Sequence, residues 1–355
     1  MINVTKTYLP DKQKYQKYVD KIFESGWITN SGPLVKELEK RLAKYLGVKN
    51  IVLVANGTVA LEIAYRTLDI KGDAITTPFS FVATTSSLVT NGIRPIYADI
   101  DEKTLNINPK KIEALLTKKT SAIVPTHVFG NACDVEAIEK IAKKHNLKLV
   151  FDAAHAFGVK YKGESLLNRG DISTLSFHAT KLFHTIEGGA LVIKDDTLAQ
   201  KARYLINFGI ENEESIPQLG TNAKMNEFEA AMGLCVLDEI DELLRKREIL
   251  YRYYESSLKG YVTFQEKNES ATNNFSYFPI VLKSNEEMQK IKEALNKANI
   301  FPRRYFYPSL DTLSYIEPKQ QASVSRDISN RILCLPLYVE LTQEEQMKII
   351  EIIQK

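Results

Sequence analysis

The chain has 355 residues, of which 44% are hydrophobic and 26% charged, and its net charge is +3. This length predicts about two domains. The balanced charge gives no argument for nucleic-acid binding, and no apolar run approaches the length of a membrane span. The three cysteines are scattered without a CxxC pair. Neither a metal site nor a disulfide framework is therefore expected, and the expected location is the cytoplasm.

Two amphipathic helices are predicted near the N-terminus. Apolar residues at helical spacing indicate one helix over residues 11–25, ended by Gly26, and a second over 34–46. The turn-forming residues of 27–33 predict a loop between them. Trp27, the only tryptophan, lies in this loop, and on its own it would be read as a packing anchor.

A phosphate-binding arrangement is predicted next. A buried strand over 51–54 leads into the turn Asn56-Gly57-Thr58, and a helix continues to Leu68. A helix N-terminus offers amide groups to an anion, and here a hydroxyl lies beside them. Thr58 could also be a plain N-cap, since both roles use the same geometry. The glycine patterns of dinucleotide and P-loop sites are absent.

Strands and helices then alternate along the chain, which predicts a mostly parallel α/β sheet with helices on both faces. The predicted strands cover residues 74–77, 94–98, 122–125, 147–151, 173–176 and 190–193, and the predicted helices cover 82–91, 108–117 and 134–145.

The C-terminal part has a different composition and predicts a smaller α+β unit. A long helical run from 226 to about 258 would connect it to the large sheet, which places the division between residues 1–245 and 246–355. Within the smaller unit, strands are predicted over 262–264 and 277–282 and helices over 285–298 and 342–353.

The most informative residue is Lys181, which lies in a run with almost no other charge. A lysine there could snorkel out of a core strand, or its desolvated amine could attack a carbonyl. Asp152 ends a predicted strand, where ligands of open α/β sheets bind. Pyridoxal phosphate requires a lysine, a carboxylate at its ring nitrogen and donors for its phosphate. Lys181, Asp152 and the Gly57-Thr58 turn supply all three.

Three short motifs carry a family resemblance: Asp-Ala-Ala-His at 152–155, Ser-Phe-His-Ala-Thr-Lys at 176–181, and Glu-Gly-Gly at 187–189. Together they resemble the DegT/DnrJ/EryC1/StrS family of nucleotide-sugar aminotransferases, which are fold-type I pyridoxal-phosphate enzymes. The resemblance extends from the loop at 27–33 to the segment at 304–308.

The resemblance implies a set of site residues. Lys181 would carry the cofactor, Asp152 would keep its ring nitrogen protonated, and these two with His155 form the expected catalytic set. The expected cofactor-binding residues are Gly57, Thr58, Phe81 (stacked on the ring), Asp152, Ser176, His178, Lys181 and Asn222. The expected substrate-binding residues are Trp27, Thr29, His184, Lys224, Arg303, Arg304 and Tyr307.

Three further expectations concern the surroundings of the site. The adjacent Arg303 and Arg304 could clamp a diphosphate or form a solvated turn. His127 is expected to be a satisfied buried histidine. The loop with Asn222, and Lys224 as second choice, resembles one that family members donate across a homodimer interface.

The activity implied is transfer of an amino group from an amino acid, usually glutamate, to a nucleotide-linked 4-keto-6-deoxy sugar. The motifs look most like members that make dTDP-4-amino-4,6-dideoxyglucose for bacterial surface polysaccharide. Alternatives are a C3-specific ketosugar aminotransferase, a dehydratase and a non-catalytic regulator, although the presence of Lys181 favours transamination. The residues do not fix the nucleotide, the sugar carbon, the stereochemistry or which histidine moves protons.

Overall fold

The computed structural model describes residues 1–355 and contains fourteen strands and eleven α-helices. The strands are β1 (Ile2–Asn3), β2 (Asn50–Val54), β3 (Asp73–Thr76), β4 (Arg94–Tyr97), β5 (Thr120–Val124), β6 (Lys148–Asp152), β7 (Lys160–Tyr161), β8 (Glu164–Ser165), β9 (Ile172–Ser176), β10 (Gly189–Ile193), β11 (Thr263–Phe264), β12 (Phe278–Val281), β13 (Ile300–Phe301) and β14 (Ile332–Leu335).

The helices follow the amphipathic segments of the sequence. They are α1 (Lys12–Ser25), α2 (Pro33–Leu46), α3 (Gly57–Thr67), α4 (Val82–Thr90), α5 (Val135–Lys144), α6 (Asp196–Leu205), α7 (Glu227–Leu237), α8 (Ile240–Leu258), α9 (Asn285–Lys297), α10 (Ser323–Arg331) and α11 (Gln343–Ile353). Gly26 ends α1 in the left-handed conformation that glycine adopts without steric cost. No helix combines the length and the apolarity needed to cross a membrane.

A seven-stranded sheet organises the large part of the chain, in the order β2-β10-β9-β6-β5-β3-β4. Only β10 runs antiparallel to its neighbours, so the sheet is mostly parallel, as the alternation of strands and helices predicts. Along β2, Ile51 and Leu53 join one buried apolar cluster while Val52 and Val54 join another. The sheet is therefore covered on both faces.

The C-terminal unit is built on the three-stranded antiparallel sheet β11-β12-β14 and has an apolar cluster of its own. The N-terminus joins this unit, because β1 pairs with β13. Residue 245 falls inside the continuous helix α8. Leu244 packs on the large core and Leu250 on the C-terminal core, and the division at 245 remains a prediction.

One helix prediction was wrong. Residues 108–117 form two short 3-10 turns, Pro109–Lys111 and Glu113–Leu115, because Ile112 alone is buried and no apolar stripe sustains a longer helix. The predicted run from 226 to about 258 is helical, and it consists of two helices, α7 and α8. They separate at Asp238–Glu239, where both carboxylates pair with Lys14 of α1.

Seven elements have no counterpart among the predicted ones: the helices α6 and α10 and the strands β1, β7, β8, β13 and β14. Helix α10 lacks a local N-cap signal, since Ala322 occupies that position. The Asp99 carboxylate caps it instead, accepting hydrogen bonds from the Val324 and Ser325 amides at 3.0 and 2.9 Å. Because the capping residue comes from a distant part of the chain, the local sequence around α10 does not predict where the helix begins.

Candidate active site

A cavity of about 320 Å³ opens at the carboxyl end of the large sheet. Strand β6 ends there in Asp152, and β9 ends there in Ser176. The N-terminus of α3 and residues of the C-terminal unit complete the wall. The volume lies at the lower end of the range of small-molecule sites, and the position is the one that ligands of open α/β sheets use.

Lys181 lies in the irregular segment between β9 and β10 and reaches the cavity. It is therefore not a snorkelling strand residue. Its Nζ donates a hydrogen bond to Tyr277 Oη at 3.3 Å. Burial lowers the pKa of the amine, while the nearby Asp152 carboxylate opposes that shift. An amine of lowered pKa is available as a nucleophile and as a base.

Asp152 is almost completely buried, and both of its carboxylate oxygens are hydrogen-bonded. Oδ2 accepts from Thr84 Oγ1 at 2.7 Å, and Oδ1 accepts from the Ala154 amide at 3.1 Å. Burial raises the pKa of this carboxyl, whereas the two hydrogen bonds and the charge of Lys181 oppose the rise. The charged form of this carboxyl therefore depends on the two hydrogen bonds and on Lys181.

The turn before α3 forms an anion cradle. Asn56 is the N-cap of the helix, and its side chain accepts from the Val59 amide at 2.9 Å, so the alternative role of Thr58 as N-cap was wrong. Thr58, in the first turn, lines the cavity with Gly57 and Ser176. A Cβ on Gly57 would meet the Ser176 Cβ at 2.7 Å, so only glycine permits this close approach.

The two histidines of the cavity differ in environment. His155 is buried beside the Phe129 and Phe306 rings, and its Nδ1 accepts from the Phe129 amide at 3.2 Å. Burial, and secondarily the charge of Lys181, holds the pKa of His155 well below its ordinary value, so the ring is neutral and carries its proton on Nε2. His178 is exposed, and its Nδ1 lies 2.8 Å from Thr180 Oγ1.

Nine of the residues predicted for the site line this cavity: Gly57, Thr58, Phe81, Asp152, His155, Ser176, His178, Lys181 and Arg303. Phe81 is about half exposed (52%), which leaves a face of its ring free for a ligand.

Three of the predicted substrate residues do not reach the cavity, namely His184, Arg304 and Tyr307. Both nitrogens of the buried His184 are already used, by the Tyr8 carbonyl at 2.8 Å and the Ile186 amide at 3.3 Å. Arg304 donates to the Ser329 carbonyl at 3.1 Å and stacks on Tyr307. The predicted joint clamp of Arg303 and Arg304 is therefore absent.

A physical reason for the separation of the two arginines lies in the backbone. Arg303 pairs with Cys334 in an antiparallel bridge, and successive residues of an extended chain point to opposite sides. Arg303 consequently faces the cavity, where it lies over the Tyr305 ring, and Arg304 faces away from it.

The remaining predicted residues, Trp27, Thr29, Asn222 and Lys224, also lie outside the cavity of this chain. Trp27 is 51% exposed and is not a buried packing anchor. A second hollow, of about 600 Å³, brings Lys224 together with Asn30 and Ser31 of the 27–33 loop. Lys224 Nζ donates there to Asn207 Oδ1 at 2.9 Å.

His127 only partly matches its predicted role. The ring is buried and stacked on Phe151, and Nδ1 accepts from the Cys133 amide at 3.1 Å. Nε2, however, has no hydrogen-bond partner. Burial lowers the pKa of this histidine to about 3, so it is neutral.

Several cavity residues were missed by the sequence analysis: Ser80, Thr126, Glu187, Tyr277, Tyr305 and Phe306. Glu187 stands in a motif that carries the family resemblance, which was the available signal. Tyr305 and Phe306 lie in the segment at 304–308, to which the resemblance extends, whereas only tertiary contact between the C-terminal unit and the large sheet gives Tyr277 a place in the site.

The chain belongs to the DegT/DnrJ/EryC1/StrS aminotransferase family, whose model matches residues 10–354. Relatives named dTDP-4-amino-4,6-dideoxy-D-glucose transaminase, from Shigella dysenteriae and Escherichia coli, are 43% and 38% identical. The matches cover 97% and 99% of this chain and 95% and 98% of those relatives.

Other relatives also fit this family, and their names refer to more than one amino sugar. A dTDP-3-amino-3,6-dideoxy-alpha-D-galactopyranose transaminase from Aneurinibacillus thermoaerophilus is 30% identical over 97% of this chain and 95% of its own. The crystal structure of DesI in the presence of its TDP-sugar product superposes with a TM-score of 0.95 at 31% identity, covering 99% of this chain and 92% of that one.

Enzymes of this family depend on pyridoxal phosphate, and the residues of the cavity fit that cofactor. Lys181 offers an amine of lowered pKa and Asp152 a buried carboxylate. The Gly57–Thr58 amides and the Ser176 hydroxyl offer donors for a phosphate at a helix N-terminus, in a cradle that a Cβ on Gly57 would fill.

Proposed function

We propose that this aminotransferase moves an amino group from L-glutamate to dTDP-4-keto-6-deoxyglucose, giving dTDP-4-amino-4,6-dideoxyglucose. The observation that carries the chemistry is the meeting of Lys181, Asp152 and the N-terminus of α3 in one cavity. The choice of sugar is supported by the two transaminases that share 43% and 38% of their residues with this chain.

Each cavity residue has a proposed task. When bound, pyridoxal phosphate supplies an electron sink for carbanion chemistry. Asp152 holds a proton on the ring nitrogen, and Gly57, Thr58 and Ser176 hold the phosphate. Lys181 would hold the cofactor, and its amine, once released, would accept and return the proton at the donor carbon.

Two further residues have proposed contacts with the ligands. The half-exposed Phe81 stacks on the cofactor ring, which is consistent with its free face. Arg303 binds an anionic group of the substrate, because it is the arginine that faces the cavity. His155, neutral and packed beside aromatic rings, orients the cofactor and does not transfer protons.

We further propose that two copies of this chain complete each other's sites. The 27–33 loop, Asn222 and Lys224 lie away from the chain's own cavity, and Trp27 and Ile28 are exposed beside them. In a dimer this face would contribute Asn222 and Lys224 to the partner's phosphate. The three cysteines are free and buried, in keeping with a cytoplasmic location.

The absorbance spectrum of the purified protein tests the activity. We expect a visible band from lysine-bound cofactor, its loss on addition of glutamate, and its return on addition of dTDP-4-keto-6-deoxyglucose. Lys181→Ala should lack the band and keep the fold. Loss without return would reject the sugar and keep the aminotransferase, whereas absence of any band after added cofactor would leave a non-catalytic regulator.

The C3-specific alternative has support in the 30% identical relative and needs a separate test. NMR of the aminated product identifies the carbon that carries nitrogen. A product that carries nitrogen at C3 would show that the enzyme is the C3-specific aminotransferase and would contradict the proposed reaction at C4.

The shared site can be tested by mixing inactive variants. Lys181→Ala lacks the lysine, and Lys224→Ala lacks the residue proposed to act across the interface. After subunit exchange, a mixed dimer holds one site with neither change, so part of the wild-type activity should return. Either variant mixed with itself is the control, and no gain in the mixture would contradict the shared site.

A further inference from the structure

Three buried hydroxyl groups lead in a line to the Asp152 carboxylate. Thr84 Oγ1 donates to Asp152 Oδ2 at 2.7 Å, Ser80 Oγ lies 2.7 Å from Thr84 Oγ1, and Thr126 Oγ1 lies 3.1 Å from Ser80 Oγ. All three hydroxyl residues are at most 2% exposed. Thr84 belongs to α4, Ser80 precedes that helix, and Thr126 follows β5.

The chemistry of the carboxylate fixes the direction of every hydrogen bond in this line. An ionised carboxylate only accepts, so Thr84 donates to Asp152. A hydroxyl has one proton, so Thr84 must accept from Ser80, and Ser80 must in turn accept from Thr126. The three O–H dipoles therefore point the same way, toward the negative charge, and each hydrogen bond polarises the next.

We propose that Thr126, Ser80 and Thr84 form a hydroxyl relay that keeps Asp152 ionised in its buried position. Thr84 is the positioning residue in contact with the carboxylate, and the other two strengthen it. The need for such support is physical, because burial alone favours the protonated form of a carboxyl group. An ionised Asp152 is what holds a proton on a cofactor ring nitrogen, and in that respect the relay rests on the proposed function.

Other groups near Asp152 do not replace the relay. Lys181 provides a positive charge that opposes the rise in the pKa of Asp152, but burial lowers the pKa of its own amine. His155 and His127 are both buried and neutral. Burial also raises the pKa of Tyr65 and Cys133, so both stay protonated near neutral pH.

The test compares the unfolding free energy of full-length Thr84→Val and wild-type protein as a function of pH, by urea denaturation without added cofactor. Thr84→Val removes a hydrogen-bond donor to the charged form of Asp152, which raises the folded-state pKa of this carboxyl. At pH values between the wild-type pKa and the variant pKa, the folded variant therefore binds more protons than the folded wild type. The stability difference should therefore widen with rising pH. We expect the ratio of the two folding constants to change about tenfold or more between roughly pH 4 and 8.

Two matched variants separate this effect from simple packing. Thr84→Ser keeps the hydroxyl and should restore the wild-type pH dependence. Thr85→Val changes the neighbouring buried threonine, whose hydroxyl bonds Tyr97 at 2.9 Å and not Asp152, and its stability difference should not vary with pH. The stability difference between Ser80→Ala and wild type should also widen with rising pH, but less than that of Thr84→Val. If Thr84→Val does not fold, Ser80→Ala is used for the test in its place.

A second readout is the affinity for pyridoxal phosphate, which should fall about tenfold in Thr84→Val, as expected for loss of roughly one hydrogen bond to a charged group. A pH-independent stability difference in Thr84→Val would overturn the relay, and the proposed function would still stand if the wild type binds the cofactor. Conversely, the stability difference between Thr84→Val and wild type could widen with pH while the wild type binds no cofactor. That result would support the relay and overturn the proposed function.

Discussion

Lys181 Nζ and Tyr277 Oη lie 3.3 Å apart, although 96 positions separate the two residues. Hydrogen bonds from Arg247 hold the segment that carries Tyr277. Arg247 donates to the Phe275 and Ser276 carbonyls at 2.9 and 2.6 Å, which fixes the backbone before Tyr277. The C-terminal unit thus supplies the one hydrogen-bond partner of the central lysine.

Replacing Tyr277 by Phe should slow the reaction with glutamate while leaving the cavity intact. The ring contacts with His155 and Phe129 are retained, and only the oxygen that accepts from Nζ is lost. We expect the rate constant of this half-reaction to fall about tenfold or more, in the range of residues that assist proton transfer. Loss of this acceptor also disfavours the ammonium, so the rising limb of the pH–rate profile should move to lower pH.

Stopped-flow absorbance with glutamate alone measures this step. Tyr254→Phe is the control, since the Tyr254 hydroxyl is buried in the C-terminal core without a partner. An unchanged rate and pH profile in Tyr277→Phe would show that the contact has no role in the reaction.

Gly57→Ala should weaken cofactor binding about tenfold or more without unfolding the chain. The added Cβ would lie 2.7 Å from the Ser176 Cβ and 3.0 Å from its Oγ, so the N-terminus of α3 must move away from β9. Titration with pyridoxal phosphate measures the affinity, and the proposed phosphate cradle predicts the direction of the change.

A double variant tests the same contact. Ser176→Gly removes the atoms with which the new methyl group collides, so Gly57→Ala should cost less affinity in that background than in the wild type. Additive losses in the double variant would mean that the close approach of Gly57 and Ser176 does not control binding.

Glu227→Gln should destabilise the protein by about 1–2 kcal/mol. This buried carboxylate accepts from the Leu34 and Val35 amides at 2.8 and 2.9 Å and so caps α2, whose N-cap residue Gly32 has no side chain to do it. An amide side chain can offer only one acceptor oxygen there. Urea denaturation measures the loss, with the exposed Glu37→Gln on the same helix as control, and equal stabilities of the two variants would contradict the cap.

Glu229 should make stability depend on pH near neutrality. Burial, and secondarily the charge of Glu187, raises the pKa of Glu229 to about 7. A group with a raised folded pKa binds more protons when folded, so stability should fall as the pH rises from the ordinary glutamate range through about 7. After allowance for its partial exposure we expect a loss of about 1–2 kcal/mol.

Glu229→Gln should remove this pH dependence. Denaturation curves at several pH values check it, with Glu242→Gln at an exposed ion pair of α8 as control. A variant with the same pH profile as the wild type would assign the dependence to another group.

The local sequence was sufficient for the elements whose signals are local. Glycine ends α1 and α2, the strands of the large sheet are apolar runs, and the family motifs identify Lys181 and Asp152. These features follow from hydrophobic periodicity and backbone preference over a few residues. Where the decisive contact is distant, as in the capping of α10 by Asp99, the same reasoning failed.

Tertiary structure alone decided what surrounds Lys181. Arg303 and Arg304 are neighbours in sequence, yet the bridge to Cys334 turns one toward the cavity and the other away. Tyr277 reaches the lysine because α8 anchors its segment through Arg247. The sequence by itself determined the fold class, the family and the central lysine and aspartate, because each has a strong local pattern. Only packing between distant segments decided which hydroxyls, aromatic rings and charges those two residues meet.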